Sequence, residues 1–202
     1  TVTPDEQMLA SILRDKRVIV TGGAGSIGRT LVRRALDMGA EAVLVADISE
    51  FNIFQLQSDL ARIYEERLIA RLVDIGDKSS FSRVVRDFRP DVIFHAAALK
   101  HVPILEDNWI SAVRTNVFGT KNCVEVATEC KVAHFVLISS DKAADPTSVL
   151  GFTKRFAEQI VNSMHYMQRR KASASGRGTN FIGVRFGNVF GSDGSVSTIF
   201  QR

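Results

Sequence analysis

The chain has 202 residues, of which 45% are hydrophobic and 24% are charged, and its mean hydropathy is +0.04. This composition is typical of a folded protein and excludes a disordered, collagen-like or coiled-coil chain. The apolar runs are far shorter than the ~20 residues that cross a bilayer. The net charge of +4 comes in large part from residues 169–177, so it does not indicate a general nucleic-acid surface.

Six short runs of apolar, largely β-branched residues alternate with longer amphipathic stretches. The predicted strands are residues 17–21, 42–46, 68–73, 92–95, 135–139 and 181–185, and the predicted helices are residues 26–38, 51–64, 78–88, 108–129 and 147–169. Strands that alternate with helices predict βαβ units and a parallel sheet, and uniformly apolar strands predict helices on both of its faces. The predicted fold class is therefore α/β with a doubly wound parallel sheet.

A glycine-rich segment, TGGAGSIG, joins the first predicted strand to the first helix. Glycines there allow a tight turn and let the backbone approach a pyrophosphate, whose charge the N–H groups of the helix start stabilise. The candidate cofactor-binding residues of this segment are Gly22, Gly25, Ser26, Ile27 and Gly28. The segment predicts a Rossmann-like, NAD(P)-binding domain over residues 17–202. Residues 1–16 show a weak helical pattern, in Met8, Leu9, Ile12 and Leu13, which predicts a lead-in helix.

Acidic residues follow the second and third predicted strands. Asp47 lies nineteen residues after Gly28, where a carboxylate accepts hydrogen bonds from the ribose hydroxyls of adenosine and repels a 2′-phosphate. We therefore predict NAD as the cofactor, although a base such as Arg71 would permit NADP. Asp74 and Ile75 follow the third strand and are expected at the adenine edge, with a capping or turn aspartate as the alternative.

The ends of the fourth and fifth predicted strands also carry candidate residues. The fourth strand ends in HAAA, residues 95–98, where small side chains let the backbone pass close to a bound dinucleotide. The fifth ends in SSDKA, residues 139–143. Asp145 followed by Pro146 is a natural helix start and predicts that the next helix begins there.

Five blocks of sequence, in this order, resemble the extended short-chain dehydrogenase/reductases. Among these, they are most similar to the CapD-like polysaccharide-biosynthesis nucleotide-sugar 4,6-dehydratases, which act on UDP-N-acetylglucosamine. The blocks are DISEFN (47–52), HAAALKHVP (95–103), TNVFGT (115–120), SSDKAADPTSVLGFTKR (139–155) and VRFGNVFGSDGSV (184–196). The resemblance runs from about residue 16 to residue 196.

The resemblance implies a dehydration without net redox change: C4 of the sugar is oxidised, the C5 proton is removed, the C6 hydroxyl leaves and C6 is reduced. Asp141 and Lys142 match the family's acid/base pair, and Ser140 matches the residue that orients the sugar. Taken alone, such a pair would be a solvated turn. In a closed cleft, the adjacent charges are expected to shift each other's pKa, which allows a neutral lysine or a protonated aspartic acid.

Other site residues follow from the same resemblance. Lys154 matches the lysine of the YxxxK motif, which binds the nicotinamide ribose, but Leu150 stands where that motif has tyrosine. Asn116 matches an asparagine that ties backbones together at the site. The remaining implied contacts are Ala96, Ala97, Ala98 and Lys100 with the cofactor, Lys100 and His101 with the sugar, and Asn188 with the diphosphate of the nucleotide sugar.

Two other functions share parts of this pattern. A nucleotide-sugar 4-epimerase or reductase has the same glycines, but it normally requires the tyrosine and does not need the Asp141-Lys142 pair. A non-catalytic, dinucleotide-binding regulatory module is the third alternative, suggested by Leu150. The histidines show no metal-ligand spacing, so no metal is predicted.

The resemblance also predicts the wider context of the chain. It implies a UDP-sugar substrate and a homo-oligomer formed through the two long helices. No nucleic-acid partner is expected, because no aromatic residues interleave with the basic residues of 169–180. The family's sugar-binding subdomain is expected to follow these residues and to be largely absent from them. We expect a piece of a longer cytoplasmic protein, or the cytosolic domain of an inner-membrane protein, since many CapD-like members carry membrane helices.

Overall fold

The computed structural model describes residues 6–175 and 178–187 and contains one six-stranded parallel sheet. The strands are β1 (Arg17–Thr21), β2 (Ala42–Asp47), β3 (Leu68–Leu72), β4 (Val92–His95), β5 (His134–Ser140) and β6 (Asn180–Phe186). Their order across the sheet is β3-β2-β1-β4-β5-β6. The chain thus winds outward from β1 in one direction and from β4 in the other, which confirms the predicted Rossmann-like, doubly wound sheet.

The helices connect successive strands. They are α1 (Glu6–Leu13), α2 (Ser26–Asp37), α3 (Glu50–Tyr64), α4 (Lys78–Phe88), α5 (Val102–Asp107), α6 (Trp109–Ala112), α7 (Thr120–Glu129) and α8 (Val149–Ser175). A π-helical segment, Val113–Gly119, joins α6 to α7, and short 3-10 turns lie at Glu65–Arg67 and Asp141–Ala143. The single helix predicted over residues 108–129 is therefore interrupted, because the π-helical turns insert an extra residue into the hydrogen-bond ladder.

Alternate residues of the central strands face opposite sides of the sheet. Val18 and Val20 pack in one apolar cluster with side chains of α2 and α3. Ile19 belongs to a second cluster with side chains of α4, α7 and α8, which includes the fully buried Phe81 and Phe135. Full burial of such a side chain stabilises the fold by ~1.5–3 kcal/mol. Helices therefore cover both faces of the sheet, as its uniformly apolar strands predict.

The helix after β5 begins later than predicted. The hydroxyl of Ser148 accepts a hydrogen bond from the N–H of Gly151 at 3.2 Å, and its carbonyl accepts one from Phe152 at 2.9 Å. Ser148 therefore caps α8, and the predicted start at Asp145 and Pro146 is wrong. Of the helices that the structure describes, none has the length and apolar composition that a bilayer span requires.

Candidate functional site

A cleft of about 440 Å³ opens at the carboxyl edge of the sheet. Twelve of the thirteen predicted cofactor-binding residues line it: Gly22, Gly25, Ser26, Ile27, Gly28, Asp47, Asp74, Ile75, Ala96, Ala97, Ala98 and Lys100. His101 also lines the cleft, whereas Lys154 does not. Ser49, Asn52 and Thr115 also line the cleft, and no sequence pattern marked them as individual site residues. Parallel strands bring these segments together because their carboxyl ends meet at one edge.

The glycine-rich loop after β1 packs against the loop after β4. Gly22 has φ +63°, a left-handed conformation, and a Cβ there would lie 2.6 Å from the Cα of Ala97. A Cβ on Gly28 would overlap the carbonyl oxygen of Gly22 and lie 2.7 Å from the Cα of Gly23. A side chain at position 22 would therefore force the two loops apart, and one at position 28 would distort the glycine-rich loop itself. The loop leads directly into the N-terminus of α2, whose first N–H groups have no partners within the helix.

Asp47 ends β2 with its carboxylate fixed by backbone groups. Its Oδ2 accepts a hydrogen bond from the N–H of Ala24, and its Oδ1 accepts one from the N–H of Ser49, both at 3.0 Å. Each carboxylate oxygen can accept more than one hydrogen bond. The carboxylate therefore lies in the cleft in a defined orientation and can still accept hydrogen bonds from ribose hydroxyls.

Lys100 reaches across the cleft toward the phosphate-binding loop. Its Nζ lies 3.4 Å from the hydroxyl of Ser26 at the start of α2. This contact places a positive charge beside the helix N-terminus, where a pyrophosphate would be held. His101, the next residue, precedes the first turn of α5.

His95 lies fully buried beneath the loop after β4 and was not predicted as a site residue. Its Nε2 is 2.9 Å from the hydroxyl of Thr120, which donates its own proton to the carbonyl of Asn116. Nε2 must therefore carry the proton, and Nδ1 accepts a hydrogen bond from the hydroxyl of Thr21 at 2.6 Å. Burial, and then the charge of Lys154, lower the pKa of His95 to about 3. The imidazole is consequently neutral near pH 7.

Asn116 ties the loop after β4 to α8. Its Oδ1 accepts a hydrogen bond from the N–H of Leu99 at 2.9 Å, and its Nδ2 donates to the carbonyl of Leu99 at 3.0 Å. The same Nδ2 donates to the hydroxyl of Thr153 at 3.1 Å. These contacts agree with the tying role that the resemblance implies.

The predicted acid/base pair lies beyond β5, in the 3-10 turn. Asp141 Oδ1 accepts hydrogen bonds at 2.8 Å from the Ser140 hydroxyl and from the Lys142 N–H, and Lys142 Nζ lies 3.4 Å away. The Ser140 hydroxyl and then the charge of Lys142 lower the pKa of Asp141. The side chains of Asp141 and Lys142 are 54% and 40% exposed. Among the described residues, water therefore reaches both groups, and Asp141 is ionised near neutral pH.

Lys154 lies close to this turn. Its buried Nζ donates a hydrogen bond to the carbonyl of Ile138 at 3.1 Å, two residues before Ser140. Burial lowers the pKa of Lys154 to about 8, against the opposing charge of Glu158. Leu150, at the tyrosine position, is only 4% exposed and packs with Leu105 and other apolar residues of α5 and α6.

Two contacting residues near Lys154 were not singled out from the sequence. Glu158 accepts a hydrogen bond from the Ser139 hydroxyl at 2.6 Å and two from the guanidinium of Arg185. These contacts join α8, β5 and β6. Asn188, the predicted contact with the sugar diphosphate, lies outside the described residues.

Comparison with known proteins identifies the family of the chain. Residues 18–202 match the family described as "Polysaccharide biosynthesis protein". The chain belongs to this family. The match includes the glycine-rich loop and the turn that carries Asp141 and Lys142, as the resemblance of the sequence blocks implies.

Relatives in this group include both dehydratases and epimerases. The chain is 36% identical over 200 residues to the capsular polysaccharide biosynthesis protein CapD of Staphylococcus aureus, covering 98% of this chain and 32% of CapD. It is 30% identical over 189 residues to a UDP-N-acetylglucosamine 4,6-dehydratase (inverting) of Campylobacter jejuni, covering 93% of this chain and 53% of the relative. It is 32% identical over 191 residues to a UDP-glucose 4-epimerase of Rickettsia bellii, covering 92% of this chain and 52% of the relative. The chain thus spans a third to a half of these relatives.

Solved structures share the fold. Pen from Bacillus thuringiensis is 36% identical with a TM-score of 0.85, and the match covers 94% of this chain and 57% of that chain. The Rossmann-like architecture inferred from the strand order is therefore that of structurally characterised relatives.

Proposed function

We propose that this chain forms the NAD-binding core of a nucleotide-sugar 4,6-dehydratase in polysaccharide biosynthesis, acting on UDP-N-acetylglucosamine or a similar UDP-sugar. The observation that carries the proposal is the hydrogen-bonded cluster of Ser140, Asp141 and Lys142. It begins two residues beyond Ile138, whose carbonyl Lys154 contacts. An acid/base pair is what removal of the C5 proton and the C6 hydroxyl requires, and the resemblance assigns the nearby Lys154 to the nicotinamide ribose.

The cleft fits a dinucleotide. Gly22 and Gly28 let the backbone segments that form the cleft pack closely together, since any Cβ there would collide with neighbouring backbone atoms. The N-terminus of α2 and the ammonium of Lys100 would stabilise a pyrophosphate. Asp47 would accept hydrogen bonds from the adenosine ribose, and Asp74 would border the adenine.

The charges of the cleft favour NAD over NADP. A 2′-phosphate on the adenosine ribose would meet the carboxylate of Asp47. The basic residues that line the cleft, Lys100 and His101, belong to the loop after β4. Arg71 does not line the cleft, and its guanidinium donates to the carbonyl of Ala70 at 2.9 Å.

Proton transfer would be carried out by the cluster beyond β5. NAD bound in the cleft would supply reversible hydride acceptance, from C4 of the sugar and back to C6. A sugar bound over Asp141 and Lys142 would exclude water from them, and a proton that moves from the Lys142 ammonium to the Asp141 carboxylate would then create a neutral amine and a carboxylic acid, a pair that the exclusion of water favours. Lys142 would then remove the C5 proton, and Asp141 would protonate the departing C6 hydroxyl.

A 4-epimerase is the second candidate, because the Rickettsia relative carries that name. Such an enzyme normally uses the tyrosine whose position is taken by Leu150. Leu150 is buried among apolar side chains and has no proton to exchange. The dehydratase is therefore the better supported of the two.

Mass spectrometry separates the two reactions. The full-length protein is incubated with UDP-N-acetylglucosamine, and we expect a product lighter by one water with no accumulation of NADH. In deuterated water, the product should carry deuterium at C5, because the intermediate is reprotonated there. A product of unchanged mass without C5 deuterium would support the epimerase instead.

We also propose that the protein is a homo-oligomer. Phe152, Phe156 and Met167 on α8 and Phe118 just before α7 are each more than half exposed. Such a concentration of apolar side chains on adjoining helices is typical of a surface that another subunit covers. A purely monomeric protein in sedimentation velocity would contradict this proposal.

A further inference from the structure

The loop after β3 forms one wall of the cleft. Val73, Asp74 and Ile75 line it, and the N–H of Val73 donates to the carbonyl of Asp47 at 2.8 Å. Asp74 makes a turn in which its Oδ1 accepts the N–H of Gly76 at 2.7 Å. Asp74 therefore both stabilises a turn and lines the cleft.

Asn122 on α7 binds the loop after β3 through its side-chain amide. Its Nδ2 donates to two consecutive backbone carbonyls, those of Ile75 at 3.0 Å and Gly76 at 3.2 Å. Asn122 is half-buried and does not line the cleft. The two bonds fix the orientation of the peptide groups that follow Asp74, and only a side chain with hydrogen-bond donors can make them.

Gly119, just before α7, provides the space that the side chain of Ile75 occupies. A Cβ on Gly119 would lie 2.7 Å from Cδ1 and 2.9 Å from Cγ1 of Ile75. Ile75 is 5% exposed and packs in the apolar cluster that contains Phe81. Because that cluster is close-packed, a side chain at position 119 would displace Ile75 toward the cleft.

We propose that Gly119 and Asn122 are positioning residues that set the adenine specificity of the cleft. Gly119 leaves space for the side chain of Ile75, and Asn122 binds its carbonyl. Both contacts thereby position the preceding residue, Asp74, whose Oδ2 can accept a hydrogen bond from the exocyclic amino group of adenine. The inference rests on the proposed NAD site. Neither residue touches the ligand, so both act through the loop after β3.

Calorimetry with two ligands tests this positioning role. In nicotinamide hypoxanthine dinucleotide, a carbonyl oxygen replaces the adenine amino group and would face the carboxylate of Asp74. We expect the unmodified chain to bind this analogue at least about tenfold more weakly than NAD, as for one lost charge-assisted hydrogen bond. In Asn122→Ala, the affinity for NAD should fall about tenfold and the preference for NAD should largely disappear.

Three further variants complete the test. Asn122→Gln keeps the amide donors and should recover part of the preference for NAD. Gly119→Ala should reduce the affinity and the preference through Ile75, although alanine normally favours a helix over glycine. Thr128→Ala is the matched control, because that hydroxyl donates a hydrogen bond within α7, to the carbonyl of Val124, and it should behave as the unmodified chain.

The outcomes separate the inference from the proposed function. If the unmodified chain binds neither ligand, the proposed NAD site is wrong. If NAD binds, the ratio of the two affinities in the variants decides. An unchanged preference for NAD over the hypoxanthine analogue in Asn122→Ala and Gly119→Ala overturns the positioning role, even if both affinities fall. The absence of any preference in the unmodified chain would overturn it as well.

Discussion

The carboxylate of Glu158 receives two hydrogen bonds from the guanidinium of Arg185, at 2.8 Å from Nε and 2.6 Å from Nη2. This bidentate pair joins α8 to β6, and the bond from the Ser139 hydroxyl to Glu158 adds β5. Arg185, then Ser139, lower the pKa of Glu158 against the opposing effect of burial. The same carboxylate lies one helical turn from Lys154, and its charge offsets part of the decrease that burial causes in the pKa of that lysine.

Loss of this carboxylate should weaken the fold at the edge of the sheet. Glu158→Ala leaves Arg185 and Ser139 without their partner, and we expect the free energy of unfolding to fall by about 1–3 kcal/mol. Glu158→Gln should cost less, because its amide oxygen still accepts a hydrogen bond. Urea unfolding measures both variants, and an unchanged midpoint for Glu158→Ala would contradict the structural importance of the pair.

Asp47→Ala should weaken NAD binding through the lost hydrogen bonds to the ribose. For charge-assisted bonds, we expect a loss of ~1.5–3 kcal/mol in binding free energy and a smaller preference for NAD over NADP. Isothermal titration calorimetry measures both. Asp59→Ala is the control, since Asp59 is 60% exposed and pairs with Arg29 on the surface. Tighter binding of NADP than NAD by the unmodified chain would refute the proposed specificity.

Lys142→Ala in the full-length protein should block dehydration and leave NAD binding nearly unchanged. Lys142 does not line the dinucleotide cleft, whereas general-base catalysis contributes a factor of ~10²–10⁴ in rate. The measurements are product formation by mass spectrometry and NAD titration. Lys121→Ala is a suitable control, because Lys121 is 52% exposed and pairs with Glu125. Normal turnover by Lys142→Ala would show that another residue takes the C5 proton.

Leu150→Tyr should destabilise the protein and should not restore the usual tyrosine base. The larger ring must enter the cluster of Leu150 with Leu105 and Ala112, both at most 2% exposed. Overpacking of this kind costs ~1–3 kcal/mol, whereas the volume-conserving Leu150→Met should cost less than about 1.5 kcal/mol. Thermal unfolding compares the two variants. An equally stable Leu150→Tyr would show that the cluster has spare room.

His95 should make the fold sensitive to mild acid. Its pKa is lowered in the fold from 6.5 to about 3, so the stability it provides is fully present above pH 6.5 and is lost as the pH falls toward 3. Between pH 6.5 and pH 5 we expect a loss of about 2 kcal/mol in the free energy of unfolding.

The variant His95→Gln separates this effect from other titrations. It removes the titrating group and should make the stability nearly independent of pH over that interval. Protonation of carboxylates whose pKa is lowered in the fold, such as Asp77 and Glu158, also reduces the free energy of unfolding, but only at lower pH. Unfolding by urea at several pH values measures the slope. A steep slope retained by His95→Gln would assign the acid sensitivity to another group.

The sequence by itself determined the order of strands and helices and the place of the phosphate-binding loop. Both depend on short-range patterns. Runs of β-branched residues mark the strands. Glycine is needed at positions 22 and 28 because a Cβ there would collide with backbone atoms of the same loop or of the loop after β4. Asp47 and Asp74 could be predicted for the same reason, since each follows directly from the end of a strand. The interruption before α7 was missed, because a π-helical insertion leaves the apolar periodicity almost unchanged.

Only the tertiary structure decided which polar groups meet. Glu158 and Arg185 are 27 residues apart, Asn122 and Ile75 are 47 apart, and Thr21 and His95 are 74 apart. No local pattern links such residues, because their distance in space depends on how strands pair and helices pack. The protonation states divide in the same way: burial, which no neighbouring residue in the chain indicates, keeps His95 neutral, whereas the lowered pKa of Asp141 comes first from its chain neighbour Ser140 and then from Lys142.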